Sequence, residues 1–169
     1  MKKKSLFFIV LFLGSFASAQ KYNNDVSSVD KIIAALYEAI SGEAGSPRDW
    51  ERFQNLFGKE AKLIPTSKNP QGDLQYRTMT PAEYITMFTS RISTGFFERE
   101  LHKEVNEYGS IVHSFSTYVT SLTANGTATN RGINSIQLFK DKDRYYIVNI
   151  FWCAESMGFP LPEKYLSKN

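Results

Sequence analysis

The 169-residue chain has 20 basic and 17 acidic residues, a formal net charge of +3, and 42% hydrophobic residues. Three of the basic residues are Lys2, Lys3 and Lys4, so beyond residue 19 the chain holds 17 charges of each sign and is neutral. A neutral domain offers neither the basic face that nucleic acid requires nor a polybasic patch for a membrane surface, and with Cys153 as the single cysteine no intramolecular disulfide can form.

Lys2–Lys4, the apolar run Leu6–Leu13 and the small-x-small sequence Ala17-Ser18-Ala19 predict a signal peptide over residues 1–19, with Gln20 first in the mature chain. The apolar run is well short of the roughly 20 residues a membrane span needs. The expectation is an exported protein, periplasmic or extracellular, free of the membrane in its mature form. Residues 20–169 are expected to form a single domain, long enough for one core. Phe (13) and Tyr (9) are abundant, which suits either a filled core or an aromatic-lined pocket.

Ser27-Ser28-Val29-Asp30 reads as a capping box that opens a first helix, with Val29, Ile32, Ile33, Leu36, Tyr37 and Ile40 on one stripe. Ser46-Pro47-Arg48-Asp49 reads the same way for a second helix carrying Trp50, Phe53, Leu56 and Phe57 and stopped by Gly58. Thr80-Pro81-Ala82-Glu83 opens a third, with Tyr84, Ile85, Phe88 and Ile92 inward and Gly95 at its end. Between the second and third helices, Ala61–Pro65 reads as a short strand and Lys68–Asp73 as a polar loop placed to serve as a flap.

The second half is predicted as strands. Phe97, Arg99, Leu101, Lys103 and Val105 alternate with Phe96, Glu98, Glu100, His102 and Glu104, so one face is semi-apolar and the other is expected to be acidic and wet. Ile111–Leu122 follows, then the hairpin signal Asn125-Gly126, a returning strand Ile133–Phe139, a tight turn at Asp141-Lys142-Asp143, and a last strand Tyr145–Cys153. Apolar on both faces, that last strand is expected to be central and covered on both sides. Pro160 and Pro162 break any continuation, and Glu163–Asn169 is a polar tail expected to fray.

This order of elements, from Ser27 to Glu155 and including Arg48-Asp49-Trp50, resembles the nuclear transport factor 2-like superfamily, which includes the SnoaL-like proteins. Ile40-Ser41-Gly42 running on to Arg48-Asp49-Trp50, Gly109–Tyr118 and Arg131–Leu138 resemble an uncharacterised secreted bacterial branch of it. The resemblance implies an α+β fold: a cone-shaped barrel of a curved, mostly antiparallel sheet wrapped around three N-terminal helices, with a cavity at the open end. It implies a pocket and not a reaction, because the superfamily holds isomerases, dehydratases, cyclases and binding proteins. Homodimers through the open sheet face are common in such proteins, and two-sided apolar strands permit one here.

Candidate residues follow from these expectations. His113 shares a face with Ile111, Phe115, Thr117 and Val119, and is either hydrogen-bonded into the core or a general base lining the cavity. Glu155 could be its acidic partner. Asp49 is either an acidic base near the mouth, as in SnoaL-like relatives, or a helix cap. Arg131 and Gln137 share one face of their strand and Asn134 points the other way; Arg131 suits a bound carboxylate or carbonyl, or else an internal ion pair with Asp49 or Glu155. Asn149 either bonds neighbouring backbone or points into the cavity. Trp152 reads as core or pocket wall, and Tyr118 and Tyr37 as hydrogen-bond donors. His102 lies among acids on the face expected to be wet, and Cys153 reads as a buried thiol rather than a nucleophile or an intermolecular bridge. No metal-ligand spacing, phosphate loop or cofactor motif is present, so no cofactor is expected. Two functional readings emerge beside a third, a structural homodimer with a filled core. In one, the protein binds a small apolar or aromatic molecule. In the other, it is a cofactor-free isomerase, dehydratase or cyclase with His113 as base and Glu155 or Asp49 as partner.

Overall fold

A computed structural model describes residues 21–166; the leader read over residues 1–19 lies outside the described residues. The first helix, α1 (Val29–Ile40), starts where Ser28 accepts a hydrogen bond from the Lys31 amide, and it buries Ile32, Ile33, Leu36, Tyr37 and Ile40 along its stripe. The last carbonyl of α1 and the loop beyond it are clamped by one side chain. Arg48 donates to the carbonyls of Ile40 (2.9 Å), Gly42 (2.8 Å), Glu43 (3.1 Å) and Ser46 (2.7 Å). A side chain at Gly42 would run into that guanidinium, so the glycine leaves room for the clamp.

The second helix, α2 (Trp50–Asn55), begins later than the capping box at Ser46 predicts. Asp49 is its N-cap and accepts from the Arg52 amide at 2.9 Å, while Ser46 and Pro47 stay in the clamped loop. The strand β1 (Phe57–Lys68) follows almost at once, so Gly58 sits in a strand rather than ending a helix, and the short strand expected at Ala61–Pro65 is the middle of a longer one. The polar loop is the turn of a hairpin to β2 (Leu74–Tyr76), a strand the sequence reading lacks. Asn69 builds this turn by accepting from the amides of Gln71 and Asp73 through Oδ1. The third helix, α3 (Pro81–Arg91), has the predicted capping box, reciprocal between Thr80 and Glu83, with Pro81 in its first turn.

Four long strands complete the chain: β3 (Phe97–Tyr108), β4 (Ile111–Ser121), β5 (Ala128–Asp141) and β6 (Arg144–Ala154). The sheet order is β2-β1-β6-β5-β4-β3, antiparallel except for the parallel β1–β6 pair. This six-stranded mixed sheet curves around the helices as a cone. The β4–β5 loop spans Leu122–Thr127, wider than a turn at Asn125-Gly126 alone, because pairing resumes only at Ser121 and Ala128. The β5–β6 turn is as tight as expected, with only Lys142 and Asp143 between the paired Asp141 and Arg144, and Lys142 takes a left-handed φ of 54°.

Strand β6 is central, between β1 and β5, but it is not covered on both sides: Val148 and Phe151 on its outer face are 39% and 42% exposed. Within the described residues the tail is not frayed from Glu163, where a 3-10 turn runs to Tyr165. It folds back over the outer face, where Thr117 donates to the Tyr165 carbonyl at 2.7 Å and the Tyr165 ring lies 5.1 Å from Phe115.

The core lies between the concave face and the helices. Phe53 is its aromatic centre, stacked on Tyr84 at 5.4 Å and edge-on to Trp50 at 5.7 Å, while Phe88 bridges Trp50 and Phe96. The clamp that lets α2 reach this centre is testable. Arg48→Met leaves four carbonyls without their charged donor and should lower unfolding stability by about 2–4 kcal/mol with a cooperative urea transition retained.

Candidate functional site

Which face a side chain occupies is set by the pleat, because cross-strand partners share a face. The rows Ser116–Asn134–Trp152, Tyr118–Gly132–Ala154 and Thr120–Asn130 point inward. The rows His113–Gln137–Asn149, Phe115–Ser135–Phe151, Thr117–Ile133–Cys153 and Val119–Arg131 point outward. On β3 the register shifts between Glu100 and His102, leaving Leu101 as an extra residue. Before this bulge Glu98 and Glu100 pair with Thr120 and Tyr118 and therefore face inward; after it Lys103, opposite Ser116, does so. The face expected to be acidic and wet thus carries its first two acids into the cone.

There Glu98 meets a cavity of about 280 Å³ between the sheet and the helices. Its walls are apolar: Leu36 and Ile40 from α1, Phe53 from α2, Met87 and Phe88 from α3, and Ile150 and Trp152 from β6. Its polar lining is Glu98, Tyr84, Tyr118, Thr120, Asn130 and Asn134, and no Lys, Arg or His is among the described lining residues. Gly132 makes room for the Tyr118 ring, whose hydroxyl would collide with a side chain there.

Glu98 dominates the electrostatics. Half-buried by exposure, its open side being the cavity, it has its carboxyl pushed up to about 8 by desolvation, opposed only by a hydrogen bond from Asn134. Tyr37, Tyr84 and Tyr118 are raised above the ordinary phenol range, first by burial and then by the charge Glu98 would carry. A chain of bonds leads away from Glu98 through the core. Asn134 Nδ2 lies 3.4 Å from Glu98 Oε1 and 3.1 Å from the Tyr37 hydroxyl. Tyr37 is 2.7 Å from Ser116 Oγ, which donates to Glu100 Oε1 at 2.6 Å. Lys103 pairs with Glu100 at 2.7 Å and with Asp30 at 3.0 Å.

Of the residues singled out from sequence, Tyr118, Asn134 and Trp152 line this cavity, and Tyr37 bonds Asn134 behind it. His113, Arg131, Gln137, Asn149 and Glu155 stand in outward rows or, for Glu155, in the 3-10 turn that follows β6. His113 Nε2 is 2.9 Å from Ser135 Oγ, and its ring lies against Phe115. Glu155 is engaged by Arg131 through two bonds of 2.9 and 3.0 Å, and accepts from the Leu161 amide, which holds its carboxyl below the ordinary range. That is the internal ion pair the sequence offered for Arg131, and it leaves Glu155 with Arg131 rather than with His113. Asp49 is occupied as a cap and by the Tyr22 hydroxyl at 3.1 Å. Sequence reasoning missed Glu98 and Tyr84. The signal for Tyr84 was its place on the apolar stripe of α3; alternation alone gave no signal for Glu98.

A second cavity of about 420 Å³ lies on the outer face under the tail, lined by Phe115, Ile133, Phe151, Phe159 and Tyr165, with half-buried Cys153 among them. Among the described residues no group of three His, Cys, Asp or Glu could hold a metal ion, and no helix is long and apolar enough to cross a membrane.

No family model matches the chain, and no curated protein matches it in sequence. Solved structures do match. The beta subunit of a provisionally named aromatic-ring-hydroxylating dioxygenase from Novosphingobium aromaticivorans DSM 12444 superposes with a TM-score of 0.57 at 13% identity, covering 80% of this chain and 90% of that one. A protein of unknown function with a cystatin-like fold from Nostoc punctiforme PCC 73102 gives 0.55 at 12% identity, over 77% and 94%. The CaMKII hub of S. rosetta gives 0.51 at 13% identity, over 83% and 97%. At these identities the likeness is one of fold alone, and that fold is the α+β cone expected from the order of elements.

The raised Glu98 carboxyl makes stability depend on pH. The native state keeps this proton up to about pH 8, whereas the unfolded chain loses it near 4.5, so the contribution of Glu98 is full below about 4.5 and is lost as pH rises to about 8. Thermal denaturation at pH 5 and pH 9 should show Glu98→Gln gaining several degrees over the parent at pH 9 and little at pH 5.

Proposed function

We propose that the protein binds a small, mostly apolar or aromatic molecule in the cone cavity. The observation that carries this reading is an apolar cavity of about 280 Å³ built around one desolvated carboxyl, Glu98. An enclosure of this kind takes its affinity from apolar contact and its orientation from a few polar groups. Trp152, Phe53 and Phe88 supply the contact, and Glu98 and Tyr118 the orientation. The described lining has no cation, which disfavours an anionic ligand. The superposed dioxygenase subunit, named for aromatic-ring chemistry, is consistent with an aromatic ligand.

A second reading, cofactor-free proton transfer as in an isomerase, dehydratase or cyclase, has one observation in its favour: Glu98 releases its proton near neutral pH inside a water-poor site. In that reading Glu98 and not His113 is the acid–base group, because His113 stands in an outward row beside Ser135.

We further read the chain as exported after cleavage behind Ala19, and as pairing with a second copy through the outer sheet face, where Phe139, Val148 and Phe151 are exposed. Intact mass of the protein from its own host tests the cleavage. Phe151→Asp should convert a dimer to a monomer in analytical ultracentrifugation.

The binding reading is tested by native mass spectrometry of the protein purified from its own host. The expected spectrum shows a retained small molecule that is absent when Met87→Trp fills the cavity from α3. An empty protein that also fails to bind 2-ethylnaphthalene would refute the reading.

A further inference from the structure

The buried chain that ends at Glu98 has a direction, and Glu100 sets it. Glu100 is ion-paired to Lys103 at 2.7 Å, and a carboxylate in such a pair only accepts hydrogen bonds. The single hydroxyl hydrogen of Ser116 therefore goes to Glu100 Oε1 at 2.6 Å. Ser116 Oγ must then accept from Tyr37 at 2.7 Å, and the Tyr37 oxygen accepts from Asn134 Nδ2 at 3.1 Å. This fixes the Asn134 amide with its nitrogen toward Tyr37, and the second N–H of that nitrogen reaches Glu98 Oε1 at 3.4 Å. Tyr37, Ser116 and Asn134 are 3%, 0% and 6% exposed, so water does not offer the chain another arrangement.

With Oε1 engaged as an acceptor, the proton of neutral Glu98 resides on Oε2. Among the described residues only Asn134 bonds this carboxyl, so the Oε2 hydroxyl has the cavity as its one direction. The groups that face Glu98 are Tyr37 from α1, Tyr84 from α3, Tyr118 from β4 and Glu100 on its own strand, and none is a cation. We propose that Glu100 is a positioning residue that turns Glu98 into a hydrogen-bond donor to the cavity, so that the site selects neutral ligands bearing a carbonyl-type acceptor oxygen over anions and over plain hydrocarbons. The inference rests on the small-molecule reading of the cavity and adds the polar half of its ligand.

Reversal of the chain shows what Glu100 contributes. A glutamine at position 100 can donate to Ser116; Ser116 can then donate to Tyr37, and Tyr37 to a turned Asn134 whose Oδ1 now faces Glu98. The Glu98 hydroxyl would bond Oδ1 and leave the cavity. Tyr37→Phe frees Asn134 to turn by a different route, with nearly the same volume in the core.

Three probes of one shape separate the possibilities: 2-acetylnaphthalene, which has the acceptor; 2-ethylnaphthalene, which lacks it; and 2-naphthoate, which is an anion. A fourth, 2-naphthylmethylammonium, tests a cation against the carboxyl and the aromatic rings. Titration calorimetry should show the parent binding the ketone about tenfold tighter than the hydrocarbon, the return on satisfying one buried donor. That preference should fade as pH rises through about 8. In Glu100→Gln and in Tyr37→Phe the preference should collapse while affinity for 2-ethylnaphthalene is kept, which reports an intact cavity. Carbon-13 NMR should show the Glu98 titration moving upward in both variants, because the neutral acid then gains a bond. A ketone preference unchanged in both variants, or naphthoate or the ammonium probe binding tighter than the ketone, overturns the inference. Equal binding of ketone and hydrocarbon by the parent overturns it while leaving the cavity reading intact. Failure of all four probes to bind takes down the cavity reading, and the inference with it.

Discussion

The Tyr37 hydroxyl joins the first helix to the middle of the sheet through Ser116 and Asn134, in a largely apolar core. Hydrophobic contact alone would hold α1 in the concave face without fixing its rotation or its depth, because burial is not directional. A buried polar chain is directional, and breaking it at one link leaves its neighbours unsatisfied. The position of α1 fixes Leu36 and Ile40 as one wall of the cavity. The Arg48 clamp at its end then sets where α2 brings Trp50 and Phe53 to meet Tyr84 and Phe88. The cavity is what remains once these groups are seated.

The helices were legible in the sequence because their signals are local. The Thr80–Glu83 box needs only four consecutive residues, and the α1 stripe only the 3.6 period. The second helix shows the limit of that logic. Ser46-Pro47 has the composition of a helix start, but Arg48 is held by carbonyls as far back as Ile40, a contact outside any short window, and the start moves to Asp49. The succession of long strands along the chain was legible from alternation and turns, and the β2 hairpin was not, because its three residues are all exposed and show no alternation of burial.

The site was legible in kind and not in its residues. A strand pattern says that alternate residues share a face, and nothing in it says which face is inside when both are mixed. His113, Arg131 and Gln137 had the chemistry expected of a site, and the pleat puts them outside. Asn134, read as pointing opposite to Arg131, is inside for that same reason. On β3 the bulge at Leu101 shifts the alternation halfway along, so no single parity describes the strand, and the acidic half that resembles a solvated edge is the half that enters the core. Glu98 became visible only with the register.

The pleat also divides the molecule into two surfaces whose side chains are separate except at Trp152 and Ala154, which border both cavities. Inward rows build the cavity; outward rows carry the Arg131–Glu155 pair, the tail and the exposed aromatic residues. Each strand therefore presents two nearly separate sets of positions to mutation. Drift along the outer set can redraw how the protein meets its surroundings with the ligand chemistry untouched, and drift along the inner set can change the ligand with the outer surface preserved. A scaffold arranged this way can diversify its two interfaces on largely separate evolutionary clocks, coupled through the shared backbone and through Trp152 and Ala154.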